Sequence, residues 1–81
     1  PAIPDGTSED FEGMIRAQSA VQKFMRQSTT YLECLDTYID NDSNTSESRS
    51  AAVRQYNSMV DLTQRVGDDF NRQVRAYRAR Q

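Results

Sequence analysis

The chain of 81 residues contains no histidine and a single cysteine, Cys34. One cysteine cannot form an internal disulfide, and the common zinc-ligand spacings need more cysteine or histidine than this chain has. Histidine is also the usual general base near neutral pH. No other set of residues amounts to a catalytic site. We therefore predict that the protein is not an enzyme and has no catalytic residues, metal site or cofactor.

Two further absences concern membranes and calcium. No apolar run reaches the roughly eighteen residues that a membrane-spanning helix needs, so we predict no membrane span. Residues 40–44 match the opening D-x-D-x-N of a calcium loop. However, Thr45 stands where the loop needs glycine, and Ala51 stands where a glutamate should complete the metal shell. The segment therefore favours a polar turn over a metal site.

Apolar residues recur at alternating steps of three and four in two stretches of the chain, which is typical of amphipathic helices. The first stretch contains Val21, Phe24, Met25, Tyr31, Leu32, Leu35, Tyr38 and Ile39. The second contains Val53, Tyr56, Val60, Phe70, Val74 and Tyr77, with Thr63 and Gly67 completing the spacing. A polar stretch separates them. This pattern predicts an all-α fold, a long antiparallel hairpin of two helices.

The local sequence also predicts where the elements begin and end. Residues 1–6 should form an extended N-terminal leader because proline disfavours helix for itself and its predecessor. A single domain then covers 7–81, with a first helix at about 8–40 capped by Thr7 or Ser8. The turn falls at about 41–45 and the second helix at about 45–78, with Asn44 and Glu47 spaced as a capping box. Gly67 either packs opposite Ala17–Ala20 or kinks its helix.

The apolar stripes are too broad for two helices alone to cover, and small domains often need oligomerisation to bury enough surface. We therefore predict self-association, as a dimer that forms a four-helix bundle or coiled coil. The predicted interface residues are Val21, Phe24, Met25, Tyr31, Leu32, Leu35, Tyr38, Tyr56, Val60, Phe70, Val74 and Tyr77. Cys34 has two readings, a buried small hydrophobe or an intermolecular disulfide in an oxidising compartment.

Charge divides unevenly along the chain. Residues 1–42 hold eight acids and three bases, a net charge of −5, whereas residues 43–81 hold four acids and seven arginines, a net charge of +3. Folding the hairpin brings the acidic start near the arginines of residues 72–80, and these charges then serve as solvated partners. We accordingly predict no nucleic-acid partner. Binding of nucleic acid or an anionic surface through this arginine-rich segment is an alternative.

A second alternative is a small-ligand site between the helices, lined by Tyr31, Tyr38 and Tyr56, because helical bundles build sites in their cores. Against it, tyrosine hydroxyls at a bundle edge commonly reach solvent. The leading hypothesis is a structural or adaptor module that acts through its apolar surface.

Three short motifs together resemble a group of short, uncharacterised secreted proteins of proteobacteria. They are P-x-I-P-D-G at residues 1–6, Y-L-x-C-L at residues 31–35 and F-N-x-Q-V-R at residues 70–75. Tyr31, Cys34, Asn71 and Arg75 match recurring positions of that group. The resemblance implies an all-helical protein exported to the periplasm or secreted, with a signal peptide removed, and it implies no activity. It adds a protein of the cell envelope as a further candidate partner.

Overall fold

The computed structural model describes residues 1–81 and contains two helices and no strand. Helix α1 spans Phe11–Asp40 and helix α2 spans Ser46–Arg78. They pack against each other as an antiparallel pair, so the Cα trace measures 55 × 16 × 13 Å. The predicted all-α helical hairpin is thus confirmed.

Helix α1 begins later than predicted because the residues before it form a separate turn. The backbone carbonyl of Asp5 accepts hydrogen bonds from the N–H groups of Ser8 and Glu9, at 3.1 and 2.9 Å. The Asp5 carboxylate accepts a further pair from the N–H and hydroxyl of Thr7, at 2.9 and 2.6 Å. The N-cap of α1 is therefore Asp10, whose side chain accepts the N–H of Gly13 at 2.7 Å. The prediction of Thr7 or Ser8 as the cap was wrong.

The turn between the helices is held by its own polar side chains. Thr45 is the N-cap of α2 and accepts the N–H of Ser48 at 3.1 Å, so the predicted cap, Asn44, was wrong. The Asn44 amide instead donates to the backbone carbonyl of Tyr38 at 2.9 Å, at the end of α1. Arg49 donates in the same way to the carbonyl of Ile39 at 2.7 Å. These bonds satisfy carbonyls that the helix end leaves without a helical partner.

The core is a single narrow line between the helices. Apart from Gly13, the buried residues of α1 follow a spacing of seven: Met14, Val21, Ser28 and Leu35. Helix α2 contributes Ala52, Val66 and Phe70. Val66 and Ala52 were absent from the predicted stripe, whereas Val53, which belonged to it, is 40% exposed. Two helices in contact bury only the residues that face the partner, so neighbouring apolar positions remain at the edges.

Helix α2 continues through Gly67 without a break, so this glycine does not end the helix. The packing of Gly67 also differs from the expected contact with Ala17–Ala20. A Cβ atom added at Gly67 would have the terminal methyl of Met25 as its one neighbour within 4 Å, at 3.5 Å. That distance is ordinary van der Waals contact, so the position has room for a methyl group.

We therefore expect Gly67→Ala to stabilise the protein. Alanine in a helix interior is favoured over glycine by about 0.5–1 kcal/mol, because glycine loses more backbone freedom on folding. For a domain of this size, such a gain raises the melting temperature by roughly 2–8 °C. Thermal unfolding followed by circular dichroism measures the shift. A lower melting temperature would show that Met25 packs more tightly on Gly67 than described.

Candidate interaction surface

The hairpin leaves much of its apolar side-chain surface in solvent. No large side chain is fully buried, and the core cluster consists of Met14, Val21, Val66 and Phe70. Six large apolar side chains are exposed: Phe11, Ile15, Tyr31, Tyr38, Val53 and Leu62. The contacts of these residues place them on two opposite sides of the contact between the helices.

The first side is apolar along most of α2. Val53, Val60, Gly67 and Val74 follow one another at a spacing of seven, so they share one side of the helix. The Met25 methyl lies over Gly67, and Phe11 and Ile15 line one cavity with Val74 at the end away from the turn. We call this surface the valine face; it consists of Phe11, Ile15, Met25 and Leu32 of α1 and Val53, Val60 and Val74 of α2.

The opposite side, here the tyrosine face, combines Tyr31 and Tyr38 of α1 with Gln55 and Leu62 of α2. The Tyr31 hydroxyl donates to the Gln55 side chain at 3.3 Å. Tyr31 and Leu62 line an open groove of about 440 Å³, and Tyr38 lines a second groove of about 390 Å³. Tyr56 borders neither groove. Tyr31 and Tyr38 therefore line neighbouring grooves that share Ala51 and Gln55, and the expected pocket lined by all three tyrosines is not formed.

The residues predicted to form the interface divide into three groups by exposure. Val21, Leu35 and Phe70 are buried inside the hairpin and leave little surface for a second molecule. Tyr31 and Tyr38 are exposed on the tyrosine face. The remaining seven are half-buried: Phe24, Met25, Leu32, Tyr56, Val60, Val74 and Tyr77.

Sequence reasoning missed Phe11, Ile15 and Leu62, three of the exposed apolar residues. Phe11 and Ile15 extend the valine face to the start of α1, and Phe11 is 64% exposed, the most of any large apolar side chain. The signal was present, since Phe11, Gln18, Met25 and Leu32 repeat at a spacing of seven. The predicted stripe began only at Val21 and so omitted this first part of the pattern.

The N-terminal leader docks against the end of α2. Gly6 is buried, and its N–H donates to the Gln73 side-chain carbonyl at 2.8 Å. Arg80 donates to the backbone carbonyls of Gly6 and Glu9, at 2.9 and 2.7 Å. Ile3 packs against the core cluster. The leader thus covers the open end of the hairpin, which its extended sequence pattern did not indicate.

The arginines near the C-terminus have several different partners. Arg72 pairs with Asp69 at 2.5 Å, and Arg80 lies over the Tyr77 ring, with its guanidinium carbon 5.3 Å from the ring centre. Arg75 and Arg78 are exposed, and neither makes an ion pair. The acidic start does approach this segment, but Arg80 meets backbone carbonyls there rather than carboxylates.

The carboxylate of Asp5 is held by hydrogen bonds in the turn before α1. The hydrogen bond from the Thr7 hydroxyl, followed by that from the Thr7 N–H, lowers the pKa of Asp5, and the charge of Arg80 adds to this. Because both bonds to Thr7 lie within the turn before α1, this carboxylate serves the local backbone.

Cys34 is exposed, so the interpretation of this thiol as a buried small hydrophobe was wrong. A disulfide between the Cys34 residues of two copies stays a prediction. Neither helix contains an apolar stretch long enough to cross a lipid bilayer.

Comparison with protein-family models, curated proteins and solved structures gives no match to this chain. The features of this chain that bear on its function are therefore the two faces, the docked leader and the charges beside them.

Proposed function

We propose that this protein is a non-enzymatic helical module that self-associates as a dimer with four helices. In this proposal it has a structural or adaptor role in the bacterial cell envelope. The observation that carries the proposal is the exposure of six large apolar side chains on this hairpin. Its core is only a single row of residues between the two helices. A contiguous exposed apolar surface commonly marks a site of protein association.

Two further observations support a binding role over a catalytic one. The grooves on the surface are open and shallow, and their linings contain no grouping of nucleophile and base. The Asp5 carboxylate, whose pKa is lowered, is held by hydrogen bonds within a turn. The exposed apolar side chains of the two helices are instead suited to binding another protein surface.

We expect the purified chain to have twice the mass of one protomer in sedimentation equilibrium. The measurement should cover low micromolar to several hundred micromolar protein, because dimer formation depends on concentration by mass action. A stable, folded monomer over that whole range would overturn the proposal. Circular dichroism on the same samples shows that the chain is folded.

The envelope location is supported by the resemblance of three short motifs to secreted proteobacterial proteins. Fractionation of the native bacterium, with an antibody against this chain, tests it independently of assembly. Recovery in the periplasmic or secreted fraction is the expected result, and recovery with the cytoplasm would contradict it.

A further inference from the structure

We infer that the valine face is the dimer interface, and that the two hairpins pack with both turns at the same end of the bundle. This inference depends on the proposed self-association and specifies its surface and its symmetry. The occupant of the valine face is a second copy of the same face, related by a two-fold axis parallel to the helices.

The composition of α2 distinguishes the two candidate faces. On the valine face, the residues seven before and seven after Val60 are Val53 and Gly67, and Val74 follows at the next step. On the tyrosine face, the same steps from Leu62 reach Gln55 and Asp69. Interface centres are depleted in charged residues. The valine face is therefore the better surface for close packing against another protein.

The size of the face is also adequate for a stable dimer. The hairpin measures 55 × 16 Å across its broad side, which is an area of about 900 Å². Specific interfaces bury about 800 Å² on each partner. A dimer contact must therefore extend along the full length of the hairpin to reach the standard size, and contact through one end alone does not reach it.

Two symmetric arrangements bring the valine faces together, and the positions of charged residues distinguish between the two arrangements. Within one hairpin, Phe11 and Tyr77 lie at the same level, since they line one cavity. If both turns are at the same end, α1 of one copy packs against α2 of the other at matching levels. Glu12 then lies beside Arg78 of the second copy. Both side chains are exposed, and Arg78 makes no ion pair within its own chain.

The alternative places the turns at opposite ends, with α1 against α1. The middle of α1 then meets its own copy, so Arg26 faces Arg26, and Glu12 faces Asp40. All three residues are exposed and stand near the valine face by helical spacing. Like charges brought together disfavour the wrong arrangement. Charge therefore selects the arrangement with both turns at one end.

A cavity at the end away from the turn fits the same arrangement. It has a volume of about 190 Å³ and lies between Phe11 and Ile15 on one side and Val74 and Tyr77 on the other. With both turns at one end, Phe11 of the second copy lies above Val74 and Tyr77. The most exposed aromatic side chain of each copy thus meets an apolar cavity of the other, and the contact occurs twice.

The symmetry is tested by a distance between the two turns. Ser43, an exposed turn residue, is replaced as Ser43→Cys in a Cys34→Ser background and carries a spin label. We expect the two labels to lie within about 25 Å of each other, because packed helices lie 8–10 Å apart. A distance near 55 Å, the length of the hairpin, would overturn the arrangement.

The face is tested by a matched pair of substitutions on α2. We expect Val60→Glu to raise the dimer dissociation constant at least about 100-fold, because it places an unpaired charge in an apolar contact. Leu62→Glu introduces the same charge on the tyrosine face. It should alter the dimer dissociation constant by less than about threefold, as expected for a solvated surface charge. Unchanged helix content by circular dichroism shows that each variant folds.

The outcomes separate this inference from the proposed function. If Leu62→Glu dissociates the dimer and Val60→Glu does not, the inference fails while self-association stands. A wild-type chain that is monomeric throughout the concentration range removes both. If Val60→Glu fails to fold, the distance between the labelled turns still decides the arrangement.

Discussion

Replacement of Phe70 by alanine is expected to lower the free energy of unfolding by about 3–5 kcal/mol, the usual cost of removing a buried aromatic ring. Phe70 is 9% exposed and belongs to the core cluster with Met14, Val21 and Val66. Two helices provide no second layer of side chains that can collapse into the space. Because small domains have stabilities of only about 5–15 kcal/mol, this loss is a large part of the total.

Urea unfolding followed by circular dichroism measures the effect, and Phe11→Ala is the matched control. Phe11 is 64% exposed, so its removal should change the stability of the single hairpin by less than about 0.5 kcal/mol. The loss from Phe70→Ala is expected at every protein concentration, because the ring packs within its own chain. The two variants are compared at a protein concentration at which the chain is monomeric, and similar effects there would contradict the described core, which contains Phe70 and not Phe11.

The number, type and order of the elements follow from the sequence. The three-four apolar spacing extends over both helices, and the turn between them contains no apolar residue. The helix caps, in contrast, could not be predicted from the sequence. Asp5, Thr7, Ser8 and Asp10 all have side chains that cap helices well. Which of them caps α1 depends on how Asp5 turns the chain and on Gly6, which bonds to Gln73 near the other end of the sequence. Local rules have no access to that contact.

The division of the apolar stripe into a core and two faces also could not be predicted from the sequence. Adjacent apolar positions such as Tyr31 and Leu32 both satisfy a three-four spacing, yet they point to opposite sides of the contact between the helices. Only the rotation of each helix about its axis decides which residues are buried. A rotation equivalent to one residue would bury Val53 in place of Ala52. The sequence therefore predicts that an excess of apolar surface exists, and the structure shows where it lies.

The second large effect is expected at Gly6, where alanine should lower the free energy of unfolding by about 2–3 kcal/mol. An added Cβ would collide with the backbone carbonyl oxygen of Gln73 and would stand 3.0 Å from the backbone nitrogen of Tyr77. These atoms belong to the helical backbone, so the leader must move instead. The hydrogen bonds of Gly6 with Gln73 and Arg80 are then lost, each worth about 0.5–1.5 kcal/mol or more where a charge takes part.

Gly67→Ala is the matched control for Gly6→Ala, because the same methyl group is added where α2 leaves room for it. The two variants should shift the melting temperature in opposite directions, Gly6→Ala downward and Gly67→Ala upward. Hydrogen exchange gives a second measurement: the Gly6 amide, which donates to Gln73, should be protected in the wild-type chain and lose that protection in an Arg80→Ala variant. A Gly6→Ala protein with wild-type stability would mean that the leader is free of α2 in solution. The open end of the hairpin, including Phe11 and Tyr77, would then be more exposed than the structure describes.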